Sequence, residues 1–409
     1  MIKVVHFSDL HFGSGERYGS INPETGLNKR FEDFAKALDK AIDFSIESDV
    51  DIVIFTGDTY KHATPEPIYQ REFARRIKRL SNHKIPTILL IGNHDILYRI
   101  DGSDALDIYS TLAIDHITVF NKIELKEIST KSGSLQIIAL PHITKSRLLT
   151  KEEYRNFSTK EQDDLMIKKV KEAIESNIQK LNPKLPSILI GHGTIETAQF
   201  GSEQDLSIGK VLSYPLGYFK HNELDYVGFG HIHKHQILWG KNKDEKPVIL
   251  YAGSLERVDF GEEDEEKGFI YLELEKGKTS IENIKFKSSD PRKLQTISCD
   301  LTESTDPQLD LETEIKKHDL AGAIIRVRYK IKEEDRVEEV KIKELLKSCF
   351  SYVIQKEIAH KERNYRIAEL DSNLATNPMT ALDKYLFDKS EEDKQILIQK
   401  AKDLMGESK

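Results

Sequence analysis

Two cysteines in 409 residues, Cys299 and Cys349, are too few for a disulfide framework or a thiolate metal site. They lie outside any C-x-x-C spacing, so a reducing compartment is expected. Long apolar runs are missing too: PTILLIG (86–92) is among the longest and falls far short of a membrane span. The opening MIKVVHFSDLHFG has neither the apolar core nor the small-residue cleavage site of a signal peptide. These absences lead us to expect a cytoplasmic protein with no membrane partner. Positive charge is not in excess either. Lys and Arg number 61 against 69 Asp and Glu, a net charge of −8, which is mild evidence against a nucleic-acid partner. Local fields and bound cations can reverse that balance.

What the chain does have is a globular composition, 38% hydrophobic and 32% charged, and length for two or three domains. Five short apolar runs each end at a polar cluster: IKVVHFSDLH (2–11), VDIVIFTGD (50–58), IPTILLIGNHD (85–95), PSILIGHG (186–193) and LDYVGFGHIH (224–233). Helical patterns fall between them. Residues 29–48 place Phe31, Phe34, Ala35, Leu38, Ala41 and Ile42 on one stripe, and 161–181 read the same way. Strands alternating with helices predict an α/β core. In such sheets ligands collect beyond the carboxyl ends of the strands, where every polar cluster here lies. A first domain is expected over 1–280. Short strand-like runs around one helix in 285–345 predict a small α+β unit, with a charged linker, over 285–372. Residues 374–409 read as two amphipathic helices, Met379, Leu382, Tyr385 and Leu386 striping one and Ile396, Leu397, Ala401, Leu404 and Met405 the other. Ser390 and Asp393 resemble a capping box at the second start.

The polar clusters form one ordered set: Asp9 and His11 (D-x-H), Asp58 (G-D), Asn93, His94 and Asp95 (G-N-H-D), His192 (G-H), then His231 and His233 (G-H-x-H). Each alone is a common turn; five in order at strand ends are not. Two divalent ions about 3.5–4 Å apart need a bridging carboxylate, and Asp58 is the natural bridge. On an extended backbone Asp9 and His11, two apart, aim the same way and complete one shell with one of the last two histidines. Asn93, His192 and the other histidine supply the second. Oxygen and imidazole donors without thiolate favour Mn²⁺, Fe²⁺ or Zn²⁺ over Ca²⁺. Such a pair can ionise a water near neutral pH and clamp phosphoryl charge. His94 could give a proton to the leaving oxygen, with Asp95 holding its tautomer.

This ordered set resembles the calcineurin-like metallophosphoesterase superfamily over residues 1–255. GSEQDLSIG (201–209), GHIHKHQ (230–236) and YAGSLERVDFGEEDEEKGF (251–269) resemble, more narrowly, the SbcD-type nuclease subunits of the double-strand-break repair complex. The resemblance implies a sandwich of two β-sheets flanked by helices, a small α+β capping domain and a C-terminal helix-loop-helix. It implies Asp9, His11, Asp58 and His233 on one metal and Asp58, Asn93, His192 and His231 on the other, with Mn²⁺ expected. It further implies DNA exonuclease and endonuclease activity at the nucleoid, a homodimer through helices near 66–80 and 103–114, and an SMC-like, SbcC-type ATPase partner held by 376–405. The chain departs from the family at Lys61, where many relatives carry an acid or His, and at His235, where many carry Pro.

Blander readings cover much of the rest. Of fourteen histidines, His6, His83, His116, His142, His221, His318 and His360 read as ordinary surface or core residues, and His62 and His235 as neighbours of the site. The basic segment YQREFARRIKRL (69–80) carries an apolar stripe, Phe73, Ile77 and Leu80, that favours packing over phosphate contact. GEEDEEK (261–267) reads as a loop. A small-substrate phosphodiesterase or phosphatase is the alternative function, although G-N-H-D in place of G-N-H-E disfavours the protein-phosphatase branch. A non-catalytic scaffold for the ATPase ranks last.

Overall fold

The computed structural model describes residues 1–97, 103–149, 157–201, 212–359, 382, 386 and 389–404. The expected strands all form. In the first sheet β1 (Ile2–Phe7), β2 (Ile52–Phe55), β3 (Thr87–Leu90) and β4 (Ile117–Phe120) run parallel, and β13 (Gly268–Leu274) and β14 (Ile284–Ser288) add antiparallel, in the order β14-β13-β1-β2-β3-β4. In the second, β6 (Gly133–Leu140), β7 (Ser187–His192), β10 (Tyr226–Gly230) and β12 (Val248–Tyr251) are parallel between the antiparallel edges β5 (Glu124–Thr130) and β11 (Gln236–Trp239). A separate parallel pair joins β8 (Thr194–Ile195) to β9 (Ser213–Tyr214).

Alternation along the strands explains the layers. Val4, Ile52, Ile54, Ile88 and Leu90 share an apolar cluster with Ile137, Ile188, Ile190 and Leu250, which faces one sheet to the other. Their neighbours Val5, Phe7, Val53, Phe55 and Leu89 turn outward to α1 (Lys29–Glu47) and α2 (Pro67–Asn82). With both faces covered, the strands are apolar without a break. Phe31, Phe34, Leu38, Ala41 and Ile42 on α1 are buried as the stripe predicts. Phe73, Ile77 and Leu80 of α2 are buried too, while Arg76 and Arg79 pair with Asp39 and Asp43 of α1. The basic helix therefore packs, with Arg76 and Arg79 answered by α1 and Arg71 and Arg75 by Glu72 of its own helix. A short α3 (Asp107–Thr111) precedes β4, α4 (Lys145–Leu148) follows β6, and α5 (Thr159–Ile178) covers the second sheet with Met166, Val170 and Ile174.

Farther along, β15 (Leu294–Asp300), β16 (Ile324–Lys332) and β17 (Ser351–Ala359) make a three-stranded sheet, with α6 (Pro307–Lys316) and α7 (Glu339–Leu345) between them in sequence. The chain divides into two compact units. One comprises Met1–Ser298, Ile315–Val327 and Glu339–Gln355; the other Cys299–Glu314, Arg328–Glu338 and Lys356–Lys409. The second expected tail helix is α8 (Glu391–Leu404), begun by Ser390, whose hydroxyl accepts from Asp393 N (3.2 Å). The first falls outside the described residues apart from Leu382 and Leu386, and so does GSEQDLSIG beyond Gly201. Among the described residues no helix is long and apolar enough to cross a membrane.

His6 shows how the layer between the sheets tolerates a polar group. Its Nδ1 lies 2.7 Å from the Tyr226 hydroxyl and its Nε2 2.8 Å from Thr56 Oγ1, so both nitrogens are satisfied. Burial, aided by His235, holds the imidazole down from 6.5 to about 3. The unfolded chain therefore binds a proton that the folded one refuses between those values, and stability falls as pH drops through that window. His6→Gln removes this contribution. Urea unfolding from pH 7 down to pH 5 should show the variant's stability falling less steeply, by up to about 1.4 kcal/mol per pH unit. Equal slopes would contradict the assignment.

Candidate metal centre

The motif residues emerge from the carboxyl ends of five parallel strands, three from the first sheet and two from the second. Asp9 and His11 follow β1, Asp58 follows β2, Asn93 follows β3, His192 closes β7 and His231 follows β10. They meet through turns and not by strand alternation, which corrects the expectation of an extended backbone. Asp9 (φ 52°), His11 (49°), Asp58 (58°) and His231 (99°) all have positive φ. An L-residue pays about 1–2 kcal/mol there, so the surrounding bonds must impose the shape. Asp9 N donates to Gly57 O and His11 N to Asp58 O, both at 3.0 Å, while the Asp9 carboxylate accepts His231 N at 3.0 and 3.1 Å. That last pair ties the two sheets together at the site.

The motif glycines have a steric reason. A Cβ on Gly57 would lie 2.5 Å from His192 Nδ1, and one on Gly92 2.2 Å from Asp58 Oδ1. Any side chain at either position displaces a side chain of the centre, His192 or Asp58.

Among the described residues, three groups have donor atoms within 4.8 Å of one another: Asp9, His11 and His233; Asp58, His192 and His231; and His11, Asp58 and His94. Asp58 is common to two of them. Its Oδ2 is 3.5 Å from His11 Nε2 and its Oδ1 is 3.4 Å from His192 Nε2, one oxygen for each side. Asn93 Oδ1 lies 3.0 Å from His192 Nε2 and 2.9 Å from His231 Nδ1.

The outer partners fix the tautomers. His192 Nδ1 is 2.6 Å from the Thr56 carbonyl, which only accepts, so Nδ1 carries a proton and Nε2 faces Asp58 and Asn93. His233 Nδ1 is 2.6 Å from Glu262 Oε1, which turns its Nε2 to His11 Nε2 at 3.0 Å. His231 Nε2 is buried with no hydrogen-bond partner among the described residues. Nitrogen and oxygen lone pairs thus converge with too few protons between them, an arrangement that a cation satisfies. Burial works against ionising Asp58, but His192, His94 and His11 outweigh it and hold its carboxyl well below the usual range. Burial, with His192 beside it, lowers His231 to about 3, so its ring is neutral, the form that binds metal.

Residues 2–235 match the family model for calcineurin-like phosphoesterases. The chain belongs to that family. Metallophosphoesterases use two divalent metals, and the Asp and His groups above are this phosphoesterase's clusters for them. Among solved structures, a protein of Thermus thermophilus is 13% identical, the match covering 70% of this chain and 99% of that one, with a TM-score of 0.38. A dimetal phosphatase from Danio rerio is 10% identical, covering 67% and 92%, with a TM-score of 0.40.

Every motif residue lies in this centre, but one expected role is corrected. Asp95 does not hold the His94 tautomer. Its Oδ2 accepts Asp58 N and Gly92 N, and its Oδ1 accepts Thr59 N, all at 3.0 Å, so it shapes the turns that carry Asp58 and Asn93. Lys61 O is the partner of His94 Nδ1, at 2.8 Å. His235 stacks on Phe286 (ring centroids 4.6 Å apart) with Nδ1 2.8 Å from Tyr251 O, and it belongs to none of the three groups. His62 is exposed beside Lys61 in a small cleft with Phe12, Glu16 and Tyr69. Glu262 went unforeseen. It is fully buried in a 3₁₀ turn (Phe260–Glu262), paired with Lys267 Nζ at 3.0 Å as well as with His233. The available signal was Phe260, a buried apolar anchor two residues upstream, just before the run read as a loop.

Outer partners of this kind carry about 10- to 100-fold in metal affinity. Calorimetric titration of Glu262→Gln with Mn²⁺ should show one binding event weakened by that factor and the other retained. Two unchanged affinities would remove Glu262 from the centre.

Proposed function

We propose that the protein is a Mn²⁺-dependent DNA nuclease of the SbcD type, hydrolysing phosphodiesters in double-strand-break repair. The observation that carries the hydrolytic part is Asp58, whose two oxygens face two separate sets of donors. On this reading Asp9, His11, Asp58 and His233 hold one ion, and Asp58, Asn93, His192 and His231 the other. Two such ions, when bound, lower the pKa of a water and neutralise the phosphoryl oxygens.

The chain's own residues supply the rest. Thr56 O and Glu262 orient His192 and His233, and Asp95 fixes the backbone on either side of Asp58. His94 stands beside His11, ring centroids 4.8 Å apart, with Nδ1 engaged by Lys61 O. Its Nε2 is then the nitrogen for the substrate: protonated there, it gives that proton to the leaving oxygen as the P–O bond breaks.

The narrower reading, DNA as substrate, is supported by the sequence stretches at 201–209 and 251–269. Partnership with an SMC-like ATPase through 376–405 is supported by α8, whose Ile396, Leu397 and Leu404 are exposed. A homodimer through helices near 66–80 and 103–114 is supported by exposed Ile108 and Leu112 around α3, since the apolar stripe of α2 is buried in its own core.

Turnover of p-nitrophenyl phosphate, its bis ester and linear DNA, each with Mn²⁺ or Mg²⁺, tests the proposal. The bis ester and DNA should be cleaved, faster with Mn²⁺, and His94→Ala and Asp58→Asn should each lose about 10²-fold or more. A preference for the monoester would favour a phosphatase, and full activity in both variants would sink the mechanism.

A further inference from the structure

One imidazole beside the centre has no part in the account so far. His142 follows Pro141 at the end of β6, and its backbone N–H donates to Ile91 O (2.9 Å), immediately before the G-N-H-D turn. Pro141, Ile143 and Thr144 around it are buried, and Ile143 packs with α5 residues under the second sheet, so the loop is anchored on both sides of the histidine. The ring stands edge-on to that of His192, centroids 6.4 Å apart and planes at 80°. Asp58, His94 and His231 are within its electrostatic reach.

Neither ring nitrogen has a hydrogen-bond partner among the described residues, although His6, His94, His192 and His233 nearby are all engaged. Nor is His142 in any of the groups whose donor atoms converge. The side chain is only partly buried and its ring nitrogens are open to solvent, free to meet a ligand beside His192.

We propose that His142 is a substrate-contact residue, offering a ring N–H to a non-bridging oxygen of the phosphoryl group on the side of the centre formed by His192 and His231. The proposal rests on the phosphoesterase reading. His94 stands by His11 and His142 by His192, so each half of the centre has a further imidazole beside it. Their roles differ. His94 gives up a proton on the proposed reading, whereas His142 only offers a hydrogen bond to the phosphoryl oxygen.

His142→Phe keeps an aromatic ring and removes the N–H, whereas His142→Asn keeps a donor. Wild type and both variants, loaded with Mn²⁺, are assayed on bis(p-nitrophenyl) phosphate and titrated with inorganic phosphate. His142→Phe should lose about 10- to 100-fold in kcat/KM, the worth of one hydrogen bond to a charged group, and bind phosphate more weakly. His142→Asn should recover part of both, and all three proteins should bind the same number of Mn²⁺ ions with the same rise in Tm. Wild-type kcat/KM and phosphate affinity in His142→Phe overturn the proposal. Loss of a Mn²⁺ ion in that variant also overturns it, because His142 would then belong to the metal shell. A wild type that neither binds Mn²⁺ nor cleaves the diester defeats the reading beneath the proposal, a result visible without any variant.

Discussion

The centre depends on one carboxylate. Asp58 is fully buried where two sheets bring their strand ends together, with one oxygen toward His11 and the other toward His192. Its Oδ1 also accepts the His94 backbone N–H at 2.9 Å. Residues from three strand ends are thereby referred to a single side chain. Moving Asp58 by an ångström would pull both groups out of register, and much of the surrounding structure prevents that. Its φ of 58° is held by the Asp95 carboxylate on its own N–H and by its carbonyl on His11 N. Gly92 leaves its carboxylate the space it occupies.

The two sheets give this arrangement its stiffness. Their facing layer is almost entirely apolar and buried, and His6 crosses it with both nitrogens satisfied by Tyr226 and Thr56. Thr56 also offers its carbonyl to His192, so one residue at the end of β2 serves the layer and the centre together. A charge-rich site can persist inside a protein only when such partners offset its desolvation. Glu262, Lys267 and His233 repeat the pattern at the far end of the chain's contribution.

Much of this was legible in the sequence. Continuous apolar runs ending in polar clusters located β1, β2, β3, β7 and β10, because strands covered on both faces cannot alternate. The periodicity of Phe31, Phe34, Leu38 and Ile42 located α1, because only one face of that helix meets the core. The motif order named side chains that the structure brings together, because each sits next to a strand end, and strand ends in a parallel sheet share an edge. Spacing within the motifs was less informative. Asp9 and His11 suggested extended backbone, yet the chain has already left β1 there and both residues have positive φ. Local periodicity cannot report a turn that distant hydrogen bonds impose. Asp95 and Glu262 were misjudged on similar grounds, since the first binds backbone N–H groups brought in by Gly92 and Asp58, and the second lies in an acidic run whose burial follows from Lys267 and Phe260.

The central claim is that Asp58 joins two cation sites of the described donors. Crystals grown with Mn²⁺ and measured at its absorption edge test that claim most directly. The account predicts two anomalous peaks about 3.5–4 Å apart, one on each side of the Asp58 carboxylate. A single peak, or peaks not bridged by Asp58, would contradict it.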